Sequence, residues 1–184
     1  MNKILLAVLI VVVVLGGYTW MTYNRMVTGS ETVDNAWAQV QTQYQRRLDL
    51  IPNLVESVKG VMKQEQTIFN NLAEARTRYA GAATVNDKAQ AATQVETALS
   101  RLLVVMENYP QLKSAENVQT LMAQLEGTEN RISVERKRFN DTAKDFNVMI
   151  KRVPAKWLAS MFGFSEKKYF QAAGGAENAP SVKF

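Results

Sequence analysis

The 184-residue sequence contains no cysteine and no histidine. The first absence removes disulfides, thiolate nucleophiles and lipoprotein attachment. The second removes the imidazole base, and the two together remove Cys/His zinc sites and the Glu-x-x-His pairs of di-metal bundles. Glycine (9) and proline (4) are too few for an all-β chain of many turns. Charge of one sign is also scarce: 22 basic against 17 acidic residues leaves only +5. No nucleophile–base constellation can be assembled from what remains, so no enzyme, metal, cofactor or small-molecule substrate is expected. Apolar residues at 47% argue against broad disorder, and the length suits one domain with a real core.

One long hydrophobic run is present. No charge occurs from Ile4 to Asn24, and Ile4–Leu15 is wholly apolar. As a helix, Ile4 to Met21 spans about 27 Å, close to one hydrocarbon core. Tyr18, Trp20 and Tyr23 gather at one end, where amphipathic rings favour the headgroup layer. A cleaved signal peptide competes with this reading, but no small-x-small cleavage site follows the apolar run closely. Residues 1–25 are therefore expected to be an uncleaved transmembrane signal anchor, with Ile4, Leu9, Val14 and Trp20 in the span. Lys3 places the N-terminus in the cytoplasm and the bulk of the chain outside it, with Arg25 partly opposing.

The rest reads as helix. One row steps by seven through Trp37, Tyr44, Ile51, Val58, Glu65, Leu72 and Tyr79. A second runs through Val33, Val40, Arg47, Leu54, Val61, Ile68 and Ala75. Together they form one helical stripe. Ser30 and Asp34 offer caps at its start, and Pro52 predicts a kink or break, giving helices near 31–50 and 52–80. A second helix near 87–108 carries Ala92, Val95, Leu99, Leu102 and Met106. A third near 114–152 carries Val118, Leu125, Ile132, Phe139, Phe146 and Val153, and Pro154 stops it. Seven-residue rows imply coiled-coil-like packing at shallow angles. The expected fold is all-α: a transmembrane helix, then an antiparallel up-and-down bundle of three to four long helices over 26–165, with a flexible tail at 166–184.

Charged residues interrupt or flank these stripes. Arg47, Glu65, Glu129 and Arg136 occupy apolar positions, and Arg76 and Glu107 lie alongside. A buried charge must pair or reach water, so these six are expected to form a structural polar layer of Glu/Arg pairs between helices. A site built on carboxylates is the sharper alternative, and nothing in the spacing implies a cleft. Residues 136–168 hold nine basic and three acidic side chains beside an apolar stretch with Trp157, Met161, Phe162 and Phe164. That stretch could plug the end of the bundle or touch the membrane surface. Nucleic acid is not expected as a partner outside the cytoplasm.

Several segments resemble the LemA family. They are Val33-Asp34-Asn35-Ala36-Trp37, the run Arg46-Arg47-Leu48-Asp49-Leu50-Ile51-Pro52-Asn53-Leu54-Val55-Glu56-Ser57-Val58-Lys59-Gly60, Glu74-Ala75-Arg76, Glu107-Asn108-Tyr109-Pro110-Gln111-Leu112-Lys113, Leu125-Glu126-Gly127-Thr128-Glu129-Asn130-Arg131-Ile132, Phe139-Asn140-Asp141 and Phe162-Gly163-Phe164. Gln64-Glu65 departs from the His-Glu that many relatives carry. The resemblance implies a bacterial membrane-anchored helical bundle and imports no reaction. The expected function is a non-enzymatic scaffold or adaptor of the cell envelope, single-pass in the inner membrane, its bulk periplasmic. Its partners would be membrane lipid, further copies of itself and other membrane proteins. The alternative is a regulatory module that binds a membrane protease or a signalling receptor.

Overall fold

The computed structural model describes residues 2–170. Among these residues every regular element is helical: α1 (Lys3–Lys59), α2 (Gln66–Gly81), α3 (Val85–Met106), α4 (Pro110–Lys113), α5 (Glu116–Lys151) and α6 (Ala155–Met161). The chain divides into two compact units. The first takes α1 up to Gln39 and the chain from Glu135 to Tyr169; the second is centred on Val40–Val134.

Within the second unit four long helical segments pack antiparallel. Arg47 of α1 meets Glu129 of α5, and further along α1 Asn117 Nδ2 donates to Ser57 Oγ at 3.3 Å, so the two helices run in opposite directions. α2 and α3 form a hairpin across Ala82–Thr84. Thr84 starts α3 as a reciprocal cap: Asp87 N–H donates to its Oγ1 at 3.1 Å, and that hydroxyl donates to Asp87 Oδ2 at 2.7 Å. The core consists of the heptad rows themselves, with Val40, Tyr44, Ile51, Leu54, Val58, Leu72, Val95, Leu102 and Ile132 buried.

In the first unit α1 and α5 are again antiparallel. Trp37 packs on Phe139 with ring centroids 5.4 Å apart. Eight residues earlier a Cβ on Gly29 would lie 3.0 Å from Phe146 Cδ2 and 2.8 Å from Met149 Cε, so the missing side chain admits the Phe146 ring. From Lys3 to Gly17 the helix is exposed on every side. Thr22 and Met26 are the first buried side chains.

Three expectations change. α1 does not break at Pro52 but runs on to Lys59, because Ile51, Leu54 and Val58 remain buried on both sides of the lost hydrogen bond. The break falls at Gly60–Glu65, where the N–H groups of Val61 and Met62 both donate to the Val58 carbonyl. That turn rotates Val61 outward and puts Met62 in the core in its place. Ser30 and Asp34 cap nothing, since the apolar helix continues through them. At the other end α5 stops at Lys151, so Val153, the last member of its row, is exposed.

Of the segment 166–184, residues 171–184 lie outside the described residues. Glu166 and Lys167 are held: Lys151 Nζ lies 2.8 Å from Glu166 Oε2, and Lys167 Nζ donates to Asp34 Oδ1 at 2.9 Å.

Candidate functional site

Of the sequence-derived polar residues, Arg47 and Glu129 meet directly. In the second unit Arg47 is the centre of the charge cluster. It is buried on α1, pairs with Glu129 of α5, and lies 3.7 Å from Glu96 of α3. Tyr44, one turn before Arg47, donates its hydroxyl to Glu96 Oε1 at 3.0 Å. Two carboxylates thus share one guanidinium. Glu129 is half exposed and keeps its hydration; Glu96 is mostly buried. Burial first, and then the charge of Glu129, push the Glu96 carboxyl up to about 7, while Arg47 opposes them. A proton on Glu96 removes one of the two negative charges that face Arg47.

Glu96 is absent from the six residues singled out by sequence, although a signal existed. It stands four residues after Ala92 and three before Leu99, inside the α3 stripe. Glu65 and Glu107 are not joined to this cluster. Tyr109 donates its hydroxyl to Glu65 Oε1 at 3.4 Å, and Glu107 is exposed. Arg76 is half-buried on α2. Arg136 belongs to the first unit, where burial lowers its guanidinium to about 10, still charged at neutral pH.

Beside the cluster lies a groove of about 850 Å³ between α3 and α5. Leu99, Leu103, Met106, Val118, Met122 and Leu125 line it. Glu96, Glu107, Glu126 and Glu129 surround it, and Arg47 is its single lining cation. An apolar floor with an acidic rim suits a helix that carries apolar and basic residues.

The first unit holds a different arrangement. α6 ends in a Schellman turn: Gly163, at φ 77°, donates its N–H to the Ser160 carbonyl at 3.4 Å, and Phe164 N–H donates to the Ala159 carbonyl at 2.9 Å. The turn delivers two rings to one site. Phe162 lies 4.9 Å and Phe164 6.0 Å from Tyr23, centroid to centroid, and Phe164 also contacts Phe146 at 6.4 Å. Asn147, buried on α5, then fixes the chain beyond. Its amide donates to the Lys167 carbonyl at 2.8 Å and accepts from the Lys167 N–H at 2.8 Å. Sequence reading missed Asn147, because a lone Asn on a helix carries no pattern.

Trp157 and Met161 are the most exposed of the four α6-region residues singled out by sequence, Phe162 is partly exposed, and Phe164 is half-buried. Ile4, Leu9, Val14 and Trp20 are all exposed on α1. α1 alone among the described helices is long and apolar enough to cross a membrane, and none of its most apolar stretch is buried. A soluble core helix would bury that stretch, so the N-terminal helix has the character of a membrane anchor.

Residues 36–184 match the LemA family. The chain belongs to the LemA family. Among curated proteins, this LemA-family chain is similar to magnetosome proteins MamQ 1 and MamQ 2 of Paramagnetospirillum magneticum. Each is 28% identical over 177 residues, covering 82% of this chain and 65% of the relative. Magnetosome protein MamQ of Magnetospirillum gryphiswaldense is 27% identical over 176 residues, with the same coverage. The chain thus spans about 65% of the length of these relatives.

Proposed function

We propose that this LemA-family protein is a non-enzymatic scaffold of the bacterial envelope, held in the inner membrane by Lys3–Met21 with its helical units on the periplasmic side. The observation that carries the scaffold reading is the acid-rimmed apolar groove on the second unit. Leu99, Met106, Val118 and Leu125 at its floor already belong to the core, whereas Leu103 and Met122 stay partly exposed, and it is large enough for several side chains of an incoming helix. The first occupant is a second copy. Outside the groove the chain is net basic, which complements the acidic rim, and a common membrane raises the local concentration of the partners.

Nothing in the Arg47–Glu96–Glu129 cluster supports a reaction. Its one strongly shifted carboxyl is occupied by the Tyr44 hydroxyl and faces a guanidinium already committed to Glu129. The cluster instead sets the register of α1, α3 and α5, a role well suited to buried polar groups.

The test is a mass measurement of the full chain in mild detergent. A particle several times the 20.6 kDa chain is expected. Met122→Glu and Leu103→Glu, both on the groove floor, should return it to one copy. A monomeric wild-type particle that instead co-purifies with a membrane protease or receptor in fixed proportion supports the regulatory alternative. Catalysis abolished by Glu129→Gln in a folded protein would overturn the non-enzymatic reading.

A further inference from the structure

We propose that α6 and the cleft beside it form a second membrane contact, which binds the headgroups of anionic phospholipids next to the point where α1 leaves the bilayer. This rests on the anchor reading of α1 and extends it to the far end of the sequence.

The argument starts from height along α1. The exposed apolar run ends at Leu15, and Tyr18 follows within one turn. At about 1.5 Å per residue, Tyr18 lies about 21 Å from Ile4 and Trp20 about 24 Å, near the far edge of a hydrocarbon layer that begins at Ile4. Tyr18, Thr22 and Arg25 line a cleft of about 480 Å³ together with Asp145, Val148, Met149, Arg152, Val153 and Ala155. The end of α5 and the start of α6 therefore stand at the same level as Tyr18–Arg25. Phe162, at the other end of α6, is seated on Tyr23. Both ends of the short helix are thus fixed to the part of α1 that enters the headgroup layer.

What α6 then presents is chemically specific. Trp157 is 67% exposed, Met161 65% and Val153 65%, in a segment whose remaining apolar side chains have found partners. Folding within this chain leaves those three in water, whereas a membrane interface is where a tryptophan and short apolar residues are stable. Arg25, Arg152 and Lys156 make no ion pair among the described residues, while Lys151 and Lys167 nearby are paired with Glu166 and Asp34. Asp145 is the single carboxylate lining the cleft, against two arginines. Two guanidiniums beside a tyrosine hydroxyl match a phosphate diester. The position of the cleft, continuous with the membrane helix, supplies that phosphate from lipid.

The test uses the full chain in vesicles of phosphatidylcholine, with or without phosphatidylglycerol, and with bromine placed on the acyl chains close to the headgroup. Two variants each keep one of the pair: Trp20→Phe/Trp37→Phe retains Trp157, and Trp37→Phe/Trp157→Phe retains Trp20. We expect Trp157 emission to shift to the blue and to lose most of its intensity to the brominated lipid. Phosphatidylglycerol should strengthen the loss, and Arg25→Gln/Arg152→Gln should abolish that strengthening. Trp157 that is quenched by aqueous iodide and untouched by bromine overturns the proposal while Trp20 is quenched normally by lipid. If Trp20 also escapes the lipid, the anchor reading itself is wrong. Equal quenching of Trp157 with and without phosphatidylglycerol overturns the headgroup site.

Discussion

The two units use the same pair of long helices and close them in opposite ways. In the second unit α1, α3 and α5 meet around charge: Arg47 held between Glu96 and Glu129, with the Tyr44 hydroxyl completing the cluster. In the first unit α1 and α5 meet around rings, Trp37 on Phe139 and Tyr23 under Phe162 and Phe164, and neutral amide bonds from Asn147 finish the work. Ring contacts and neutral hydrogen bonds are indifferent to pH, and the carboxylates of this unit's Lys151–Glu166 and Lys167–Asp34 pairs are more than half exposed. A guanidinium shared by two carboxylates is not indifferent to pH. The difference predicts two regions with separate vulnerabilities, each readable by hydrogen exchange and denaturation of the purified chain in mild detergent.

The largest effect is expected from Arg47→Met. It removes the cation that pairs with Glu129 and opposes the burial of Glu96, at a cost of about 3 kcal/mol at neutral pH. Exchange should rise in α3 and in Glu116–Val134, and remain low around Phe146. Equal loosening around Phe146 would erase the distinction between the units.

Next comes pH. Folded, Glu96 keeps its proton up to about 7; unfolded, it releases it near its ordinary 4.5. Between those values the folded chain binds more protons, so stability falls as pH rises through the interval. The contribution is whole below about 4.5 and gone above about 7, and amounts to no more than about 3 kcal/mol. Glu96→Gln should flatten this slope, and a slope that survives the substitution assigns it to another group.

Asn147→Ala should cost about 2 kcal/mol by leaving two backbone groups of Lys167 without their partners. Its signature is fast exchange in Ser165–Tyr169 with the second unit unchanged. The smallest effect is that of Gly163→Ala, about 1 kcal/mol, since an L side chain resists the positive φ that closes α6. Loss of Phe162–Tyr23 packing should accompany it, seen as increased exchange at the start of α6.

The geometry also alters a truncation that the sequence alone invites. Cutting after Arg25 removes Tyr23, on which both rings of the Phe162-Gly163-Phe164 turn rest. A cut after Gly17 keeps that contact and deletes only helix that is exposed on all sides.

Much of the fold was legible in residue spacing. The α3 stripe from Ala92 to Met106 is buried at each expected position, as is the α5 row from Val118 to Phe146. Helical periodicity is a local property, and it survives into the folded chain whenever the helix does. The failures cluster where helices end. Pro52 looked like a breaker because its lost hydrogen bond is visible in sequence, whereas the packing that outweighs it is not. The candidate site was half legible. Arg47 and Glu129 stand out as charges in apolar rows, yet their partner Glu96 came from a third helix. Glu65 and Glu107 share the same pattern and are not part of that cluster.

By itself the sequence determined an apolar helix fit for a bilayer and the buried faces of the helices that follow, because both depend on residues within a few turns of each other. Only the tertiary structure decided which charges meet, that Asn147 grips Lys167, and that α6 lies level with the aromatic end of the anchor. Those outcomes depend on register between segments 20 to more than 130 residues apart, which no local pattern records.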